Sequence, residues 1–257
     1  MIRHWTIPPK RYGDDARLAI QASIPNNESI DCERGRVITS AKELKEKHRA
    51  VYDPIDENAR VRVHRAISWL DRSERETEDP AARFIFLWIS LNAAYAREFG
   101  HEMSERDQAR DFIARILKCD KDRRIHAALF ETFNGPIRLL IDNKFIFEPF
   151  WKAVRDHDAS GAWRDSFESA RGMALKAIVN GETELLMSIV ADRLYVLRNQ
   201  LVHGGATWNS AANRQQLADA VAILSTLMPI IIELMIDCPE MALENDRINY
   251  PWIRDAG

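Results

Sequence analysis

Three polar side chains stand out near the end of an otherwise apolar segment: Arg198, Asn199 and His203. Histidine titrates near neutral pH and can move protons, and a guanidinium binds anions through paired hydrogen bonds. Consecutive helical residues are about 100° apart. Asn199 and His203 therefore share a face of the predicted helix, and Arg198 lies next to that face. The types and positions of these residues would allow acid–base chemistry on an anionic group.

The same residues also have a purely structural interpretation. Cations are favoured near the C-terminal end of a helix, where backbone carbonyls lack partners. His203 would then cap the helix and Gly204 would take the left-handed turn that commonly follows. Gly205 adds a second stop signal, and two glycines allow another backbone or a substrate to approach closely. Both interpretations stay open on the residues alone.

The stretch Arg198-Asn199-Gln200-Leu201-Val202-His203-Gly204 resembles the R-x4-6-H motif of HEPN-type ribonucleases. The polar residue after the arginine and the glycine after the histidine also match. The variant is most similar to the Apea-like branch of that family, in which an apolar helix is expected upstream. The segment from Phe84 to Tyr95 fits that place. The close similarity covers about 25 residues in these two patches.

The resemblance implies metal-independent RNA cleavage, in which a 2′-OH attacks the adjacent phosphate. His203 would be the general acid/base, because its ordinary pKa lies near neutral pH. Arg198 would bind the phosphate and stabilise the charge of the transition state. Asn199 would orient His203 or the scissile phosphate. A non-catalytic HEPN module for RNA or nucleotide binding or for dimerisation is the alternative, and a helical scaffold without an RNA role is a third possibility.

Three further residues complete the predicted site. Arg193 and Gly204 are expected to support RNA binding. Asn92 stands where many relatives place a carboxylate; it can form hydrogen bonds but carries no charge, and it could equally be a polar group inside the bundle.

The family resemblance also implies a homodimer whose two motifs form one cleft, which would let a chain of net charge −3 hold RNA. The neighbourhood from Leu194 to Leu201 could supply apolar interface surface. The expected partners are RNA, a second copy and, for a toxin or phage-defence effector, a nucleotidyltransferase antitoxin or another defence protein.

No cofactor or metal is expected. The sequence contains no G-x-G-x-x-G, P-loop, HExxH or HxxxH pattern. Asp31 with Glu43-Leu44-Lys45 superficially resembles a metal-dependent nuclease pattern, but that pattern needs a strand, whereas Ser40 and Glu43 have the spacing of a capping box that starts a helix.

The elements that must position these residues are predicted to be helices. Glycine and proline number only ten each in 257 residues, and apolar residues recur at helical spacing from Asp56 onward. We predict an all-α fold, an up-and-down bundle over residues 56–238 with extra helices inserted at 119–160. Asp79 and Pro80 are predicted to start one helix of the bundle, and Asn180-Gly181 to end another. The inserted helices are predicted at about 121–133, 136–145 and 148–156, separated by Asn134-Gly135-Pro136 and Glu148-Pro149. Residues 1–55 are predicted to form an irregular extension with a small hairpin between Ile30 and Thr39 and a short helix, and residues 239–257 a C-terminal tail.

Composition and charge indicate an ordinary globular protein, with 46% hydrophobic and 29% charged residues. The three cysteines form no CxxC pair, which favours a reducing compartment. The N-terminal residues lack the apolar run of a signal peptide, and the run from Leu227 to Ile232 is far shorter than the roughly 20 residues that span a bilayer. These features predict a cytoplasmic protein without a membrane segment.

Overall fold

The computed structural model describes residues 40–51, 56–96, 104–210 and 214–243, all within one compact unit, Ile38–Gly257. Of these residues, 81% are helical, and no strand occurs among them. The predicted all-α helical bundle is therefore confirmed. The predicted hairpin and residues 244–257 of the predicted tail lie outside the described residues.

The helices follow one another through short connections. In chain order they are α1 (Ala41–Ala50), α2 (Glu57–Glu74), α3 (Pro80–Tyr95), α4 (Glu105–Cys119), α5 (Arg124–Ala127), α6 (Asn134–Ile141), α7 (Glu148–Arg155), α8 (Ala162–Asn180), α9 (Thr183–Val202), α10 (Arg214–Asp237) and α11 (Pro239–Leu243). A π-helical turn, Ala128–Thr132, continues α5, and a 3₁₀ turn, Lys144–Ile146, precedes α7.

Local sequence signals start the first three helices. Ser40 caps α1, and its hydroxyl accepts from the Glu43 backbone N–H at 3.3 Å and donates to the Glu43 carboxylate at 2.9 Å, so the two residues of the predicted capping box start this helix. Asp56 caps α2, and its carboxylate accepts from the backbone N–H groups of Asn58 and Ala59. Asp79 caps α3 through the N–H groups of Ala81 and Ala82, with Pro80 as the first helical residue, as predicted.

Helix α10 forms the centre of the bundle and packs on α1, α2, α3, α4 and α6. It continues through Pro229 and is long and apolar enough to cross a membrane by length and composition alone. However, 83% of its most apolar stretch is buried inside the protein, and a core helix has the same composition. The apolar character of α10 is accounted for by packing.

One end of the bundle is held by ion pairs to a buried carboxylate on α10. Glu233 accepts from the Lys47 ammonium of α1 at 2.9 Å and from the Arg124 guanidinium of α5 at 2.5 Å. Leu44 of α1 is fully buried in the same core. The short helix that the sequence analysis placed in the N-terminal extension thus packs on the bundle.

The inserted region differs in detail from the predicted pattern. The segment predicted as one helix over 121–133 is a short helix followed by a π-helical turn. Asn134, Gly135 and Pro136 were predicted to break the chain but form the first turn of α6, where proline lacks only an N–H that would be unpaired anyway. Helices α7 and α8 pack together and place aromatic residues alongside α9.

Candidate functional site

The motif lies at the C-terminal end of α9, which packs on α4, α6 and α8. Leu194 and Leu197 of this helix are almost completely buried and anchor it in the core. They face the inside of the protein, so the expected contribution of this neighbourhood to a dimer interface is wrong for these two residues. Of the described motif residues, Val202, His203 and Gly204 are exposed, whereas Arg198 and Asn199 are half-buried.

Arg198 makes contacts on every side of its guanidinium. Nη1 donates to Oδ1 of Asn199 at 2.9 Å, and Nη2 donates to Oε1 of Glu105 at 3.3 Å. The guanidinium carbon lies 5.7 Å from the ring centre of Trp88 and 5.5 Å from that of Tyr195, within the range of cation–π attraction. Arg198 is therefore held in one orientation while 21% of its side chain stays exposed.

Glu105 is a site residue that the sequence analysis did not identify. It stands in the first turn of α4, and its Oε1 accepts from Arg198 and also from the hydroxyl of Tyr95 at 3.1 Å. Burial of Tyr95, and then the charge of Glu105, raise the pKa of the Tyr95 hydroxyl, so this group stays a hydrogen-bond donor. A carboxylate thus lies beside the motif arginine, supplied by α4.

Asn92 does not take the place of that carboxylate. It lies on α3, four residues after Trp88, so the two share a helix face. Among the described residues, no hydrogen bond joins its side chain to Arg198, Asn199 or His203. Its backbone carbonyl accepts from Ala96 at the end of α3.

His203 caps the C-terminus of α9, and its backbone N–H donates to the carbonyl of Asn199 at 3.0 Å. Its side chain is exposed. Gly204 has φ +69°, the left-handed conformation that the structural interpretation of the sequence predicts for it. The backbone end of the motif is thus arranged as predicted, and the imidazole is accessible to a ligand.

The side chains of Arg198 and His203 point in different directions. Five residues along a helix correspond to about 140° of rotation, and His203 already departs from helical geometry. Arg198 turns toward α3 and α4, whereas His203 turns to solvent. Asn199 lies between them in angle, and its side-chain oxygen is occupied by Arg198.

The loop after the motif is attached at two points. The Ala206 N–H donates to the carbonyl of Gln200 at 3.0 Å, and the indole N–H of Trp208 donates to Oδ2 of Asp79 at 2.9 Å. The hydrogen bond from Trp208 lowers the pKa of the Asp79 carboxyl. The cap of α3 therefore also positions the segment that follows His203.

Arg193 is a buried residue away from the exposed end of the motif. Its guanidinium carbon lies 4.5 Å from the ring centre of Phe147 and 5.6 Å from that of Phe167, and Nη1 donates to the Ile146 carbonyl at 3.4 Å. Burial lowers its pKa to about 10. These contacts fix α9 against the inserted helices, and 4% of Arg193 is exposed.

A groove of about 740 Å³ runs along the part of α9 that precedes the motif, next to α4 and the start of α7. Arg106 forms an ion pair there with Glu148 at 2.5 Å and Arg110 one with Asp192 at 2.8 Å, and Arg193 also lines the groove. Within the described ranges, no group of three or more His, Cys, Asp or Glu side chains is placed to hold a metal ion.

No protein-family model, curated protein or solved structure matches this chain.

Proposed function

We propose that this chain is a metal-independent endoribonuclease of HEPN type, acting as a toxin or phage-defence effector. The observation that carries the proposal is the Arg-Asn-x-Leu-Val-His-Gly sequence at the end of α9, with an accessible imidazole at His203 and a partly exposed, fixed guanidinium at Arg198. A partner nucleotidyltransferase antitoxin or another defence protein belongs to the same proposal.

The proposed reaction transfers a phosphoryl group within the RNA from the 5′-oxygen of one nucleotide to the 2′-oxygen of the preceding one. The 2′-oxygen attacks the adjacent phosphorus while its proton passes to a neutral His203, and the bond to the 5′-oxygen breaks. That 5′-oxygen takes a proton from a protonated His203, leaving a 2′,3′-cyclic phosphate and a 5′-hydroxyl. Arg198 binds the phosphate oxygens, where charge accumulates in the transition state.

A second copy of the chain would supply what one copy lacks. Because Arg198 and His203 diverge on one helix, we infer that the arginine of one protomer acts with the histidine of its partner across a two-fold axis. Val202, which is 56% exposed, precedes His203, and Trp208, which is 73% exposed, follows it by five residues. These apolar side chains could exclude water from such a cleft.

A non-catalytic HEPN-type module is the second candidate, and one observation favours it. The Arg198 guanidinium is already occupied by Glu105 and Asn199, as expected of a residue with a structural role. Such a module would bind RNA or a nucleotide, or only form a dimer, and in each case it would not cleave RNA.

The test is incubation of the purified protein with a single-stranded RNA in the presence of EDTA. Cleavage should continue and should leave a 2′,3′-cyclic phosphate or the 3′-phosphate derived from it. His203→Ala and Arg198→Ala should each reduce the rate at least about a hundredfold, since each removes a group that acts in the transition state. The matched control is His64→Ala, which removes an exposed histidine from α2.

Three outcomes would contradict the proposal. Cleavage that stops in EDTA would require a metal-dependent mechanism. Undiminished cleavage by His203→Ala would remove the acid/base assignment. Binding of RNA without cleavage by the wild-type protein would favour the non-catalytic module.

A further inference from the structure

A cluster of aromatic rings lies beside the motif on the inserted region. Its members are Phe145 of the 3₁₀ turn, Phe150 and Trp151 of α7, and Trp163 of α8; we call them the aromatic patch. Phe145 and Phe150 meet edge to face with ring centres 5.5 Å apart, and Phe150 and Trp163 do so at 5.0 Å. Phe145 is 39% exposed, and the other three rings are half-buried.

The patch is attached directly to the motif helix. The carbonyl oxygen of Phe145 accepts from the side-chain amide of Gln200 and from the indole N–H of Trp151, the latter at 2.7 Å. Gln200 precedes His203 by three residues, and helical residues at that spacing are neighbours on one face. This contact therefore places Phe145 beside the motif segment of α9, at the residue three positions before His203.

A lysine gives the patch a positive charge. The ammonium of Lys144 lies 5.2 Å from the ring centre of Phe145, 5.6 Å from that of Phe150 and 5.9 Å from that of Trp163. Lys144 forms no ion pair with the residues described in the structure, in contrast to Arg106 and Arg171 on the neighbouring helices. A cation without a carboxylate partner is available to a phosphate.

We propose that the aromatic patch binds a nucleotide of single-stranded RNA next to the cleaved bond, with a base stacked on Phe145 and a phosphate at Lys144. This inference rests on the proposed function for the identity of the ligand. Exposed rings interleaved with cations are how proteins bind single strands, because every base offers a face for stacking. A cluster that only packed the inserted helices would have no need of an exposed ring or an unpaired lysine.

The test measures binding separately from cleavage. The probe is a single-stranded 2′-O-methyl RNA, which lacks the attacking hydroxyl, and it is compared with the same strand carrying abasic positions. The wild-type protein should bind the intact strand about tenfold more tightly than the abasic one, since stacking of one base has about that effect. Phe145→Leu keeps apolar volume but removes the ring, and should reduce this preference to twofold or less. Lys144→Gln should weaken both strands equally.

Matched controls remove the same groups elsewhere. Phe130→Leu removes the ring that stacks on His126, and Lys118→Gln removes an exposed lysine from the far end of α4 relative to Glu105; neither should change the preference for bases. Equal binding of intact and abasic strands by the wild-type protein, or an unchanged preference in Phe145→Leu, would overturn the aromatic patch as a base-binding site. Neither result would change the outcome expected of the cleavage assay in EDTA, so the base-binding site and the proposed function can be disproved independently.

A second measurement needs no substitution in the patch, in case Phe145→Leu does not fold. An RNA with 5-iodouridine should crosslink on irradiation to a peptide from residues 144–163 of the wild-type protein, because this base reacts with aromatic side chains against which it stacks. Crosslinks that map only to other parts of the chain would overturn the proposal.

Discussion

The Arg198 guanidinium has four partners within the protein and remains partly exposed. It is shared between a carboxylate, an amide oxygen and two aromatic rings, and the carboxylate of Glu105 occupies a direction from which a phosphate oxygen could also bind. A phosphate must therefore compete with Glu105 for Nη2. We therefore expect Glu105 to lower the affinity of the proposed site for anions.

The first prediction is that Glu105→Gln strengthens RNA binding. Glutamine keeps an oxygen that can accept from Tyr95 but removes the charge that competes with phosphate. The pair is partly exposed and worth about 0.3–1 kcal/mol, so the Kd for a short single strand should fall about twofold to fivefold. Fluorescence anisotropy at fixed salt measures this.

Glu168→Gln is the control, because it removes the same charge from an exposed position on α8. It should leave the Kd unchanged. Weaker binding by Glu105→Gln would mean that the carboxylate orients Arg198 and does not compete with the ligand.

At this scale the sequence predicts the motif but not its surroundings. Arg198, Asn199 and His203 are recognisable because they are adjacent in the chain. Glu105 lies 93 residues before Arg198, and no local pattern connects a carboxylate in the first turn of one helix with the end of another. Arg193 was predicted to support the site, but its burial depends on Phe147 and Phe167, whose positions follow only from how the inserted helices pack.

At the scale of elements, helix ends were the most predictable features, because capping is local chemistry. Ser40 with Glu43, Asp79 with Pro80, and Gly181 after α8 act through residues next to them in the chain. The start of α6 was missed, because Asn134-Gly135-Pro136 suits both a break and a first helical turn. The helical turn forms here because Ile137, Leu140 and Ile141 then pack into the core, and no local sequence pattern shows this packing.

Substitutions at two glycines test how local backbone conformation affects stability, and the two are expected to have opposite effects. Gly204 has φ +69°, so Gly204→Ala should lower the free energy of unfolding by about 1 kcal/mol, although the space around it is open. Gly172 lies in the middle of α8 with nothing within 4 Å of an added methyl group, and Gly172→Ala should raise the free energy by about 0.5–1 kcal/mol. Urea unfolding measures both changes. Equal effects of the same sign would show that backbone conformation does not control these positions.

At the scale of the whole molecule, Glu233 connects the central helix to both α1 and α5. Glu233→Ala leaves Lys47 and Arg124 without this partner and should lower the free energy of unfolding by about 2–3 kcal/mol. Asp237→Ala removes only a more exposed partner of Lys47 and should cost less than about 1 kcal/mol. Thermal unfolding of the two variants, measured side by side, should show the larger loss of stability for Glu233→Ala. A larger loss of stability for Asp237→Ala would contradict the prediction.

The proposed dimer makes a prediction about mass and about mixed copies. Sedimentation equilibrium should give about twice the monomer mass of 29.6 kDa. A mixture of Arg198→Ala and His203→Ala should recover part of the lost cleavage, because a shared cleft would then contain one intact Arg and His from different chains. A monomer that cleaves RNA, or no recovery in the mixture, would rule out a site shared between copies.

Val202→Glu places a charge on the exposed side chain beside His203 and should reduce both the dimer mass and cleavage. Val179→Glu is the matched control, since Val179 is 81% exposed at the end of α8. It should change neither quantity. A loss of cleavage in Val202→Glu with the dimer intact would place Val202 in contact with RNA instead of in the interface.

The hydrogen bond between Trp208 and Asp79 gives the motif loop a built-in optical reporter. The indole is largely in water, yet its N–H is held by the carboxylate that starts α3. Release of the loop would exchange that carboxylate for solvent and shift the indole emission. The difference between the spectra of the wild-type protein and Trp208→Phe isolates this one chromophore from the other six tryptophans. Stopped-flow recording of that difference would then time the movement of the loop against the cleavage step.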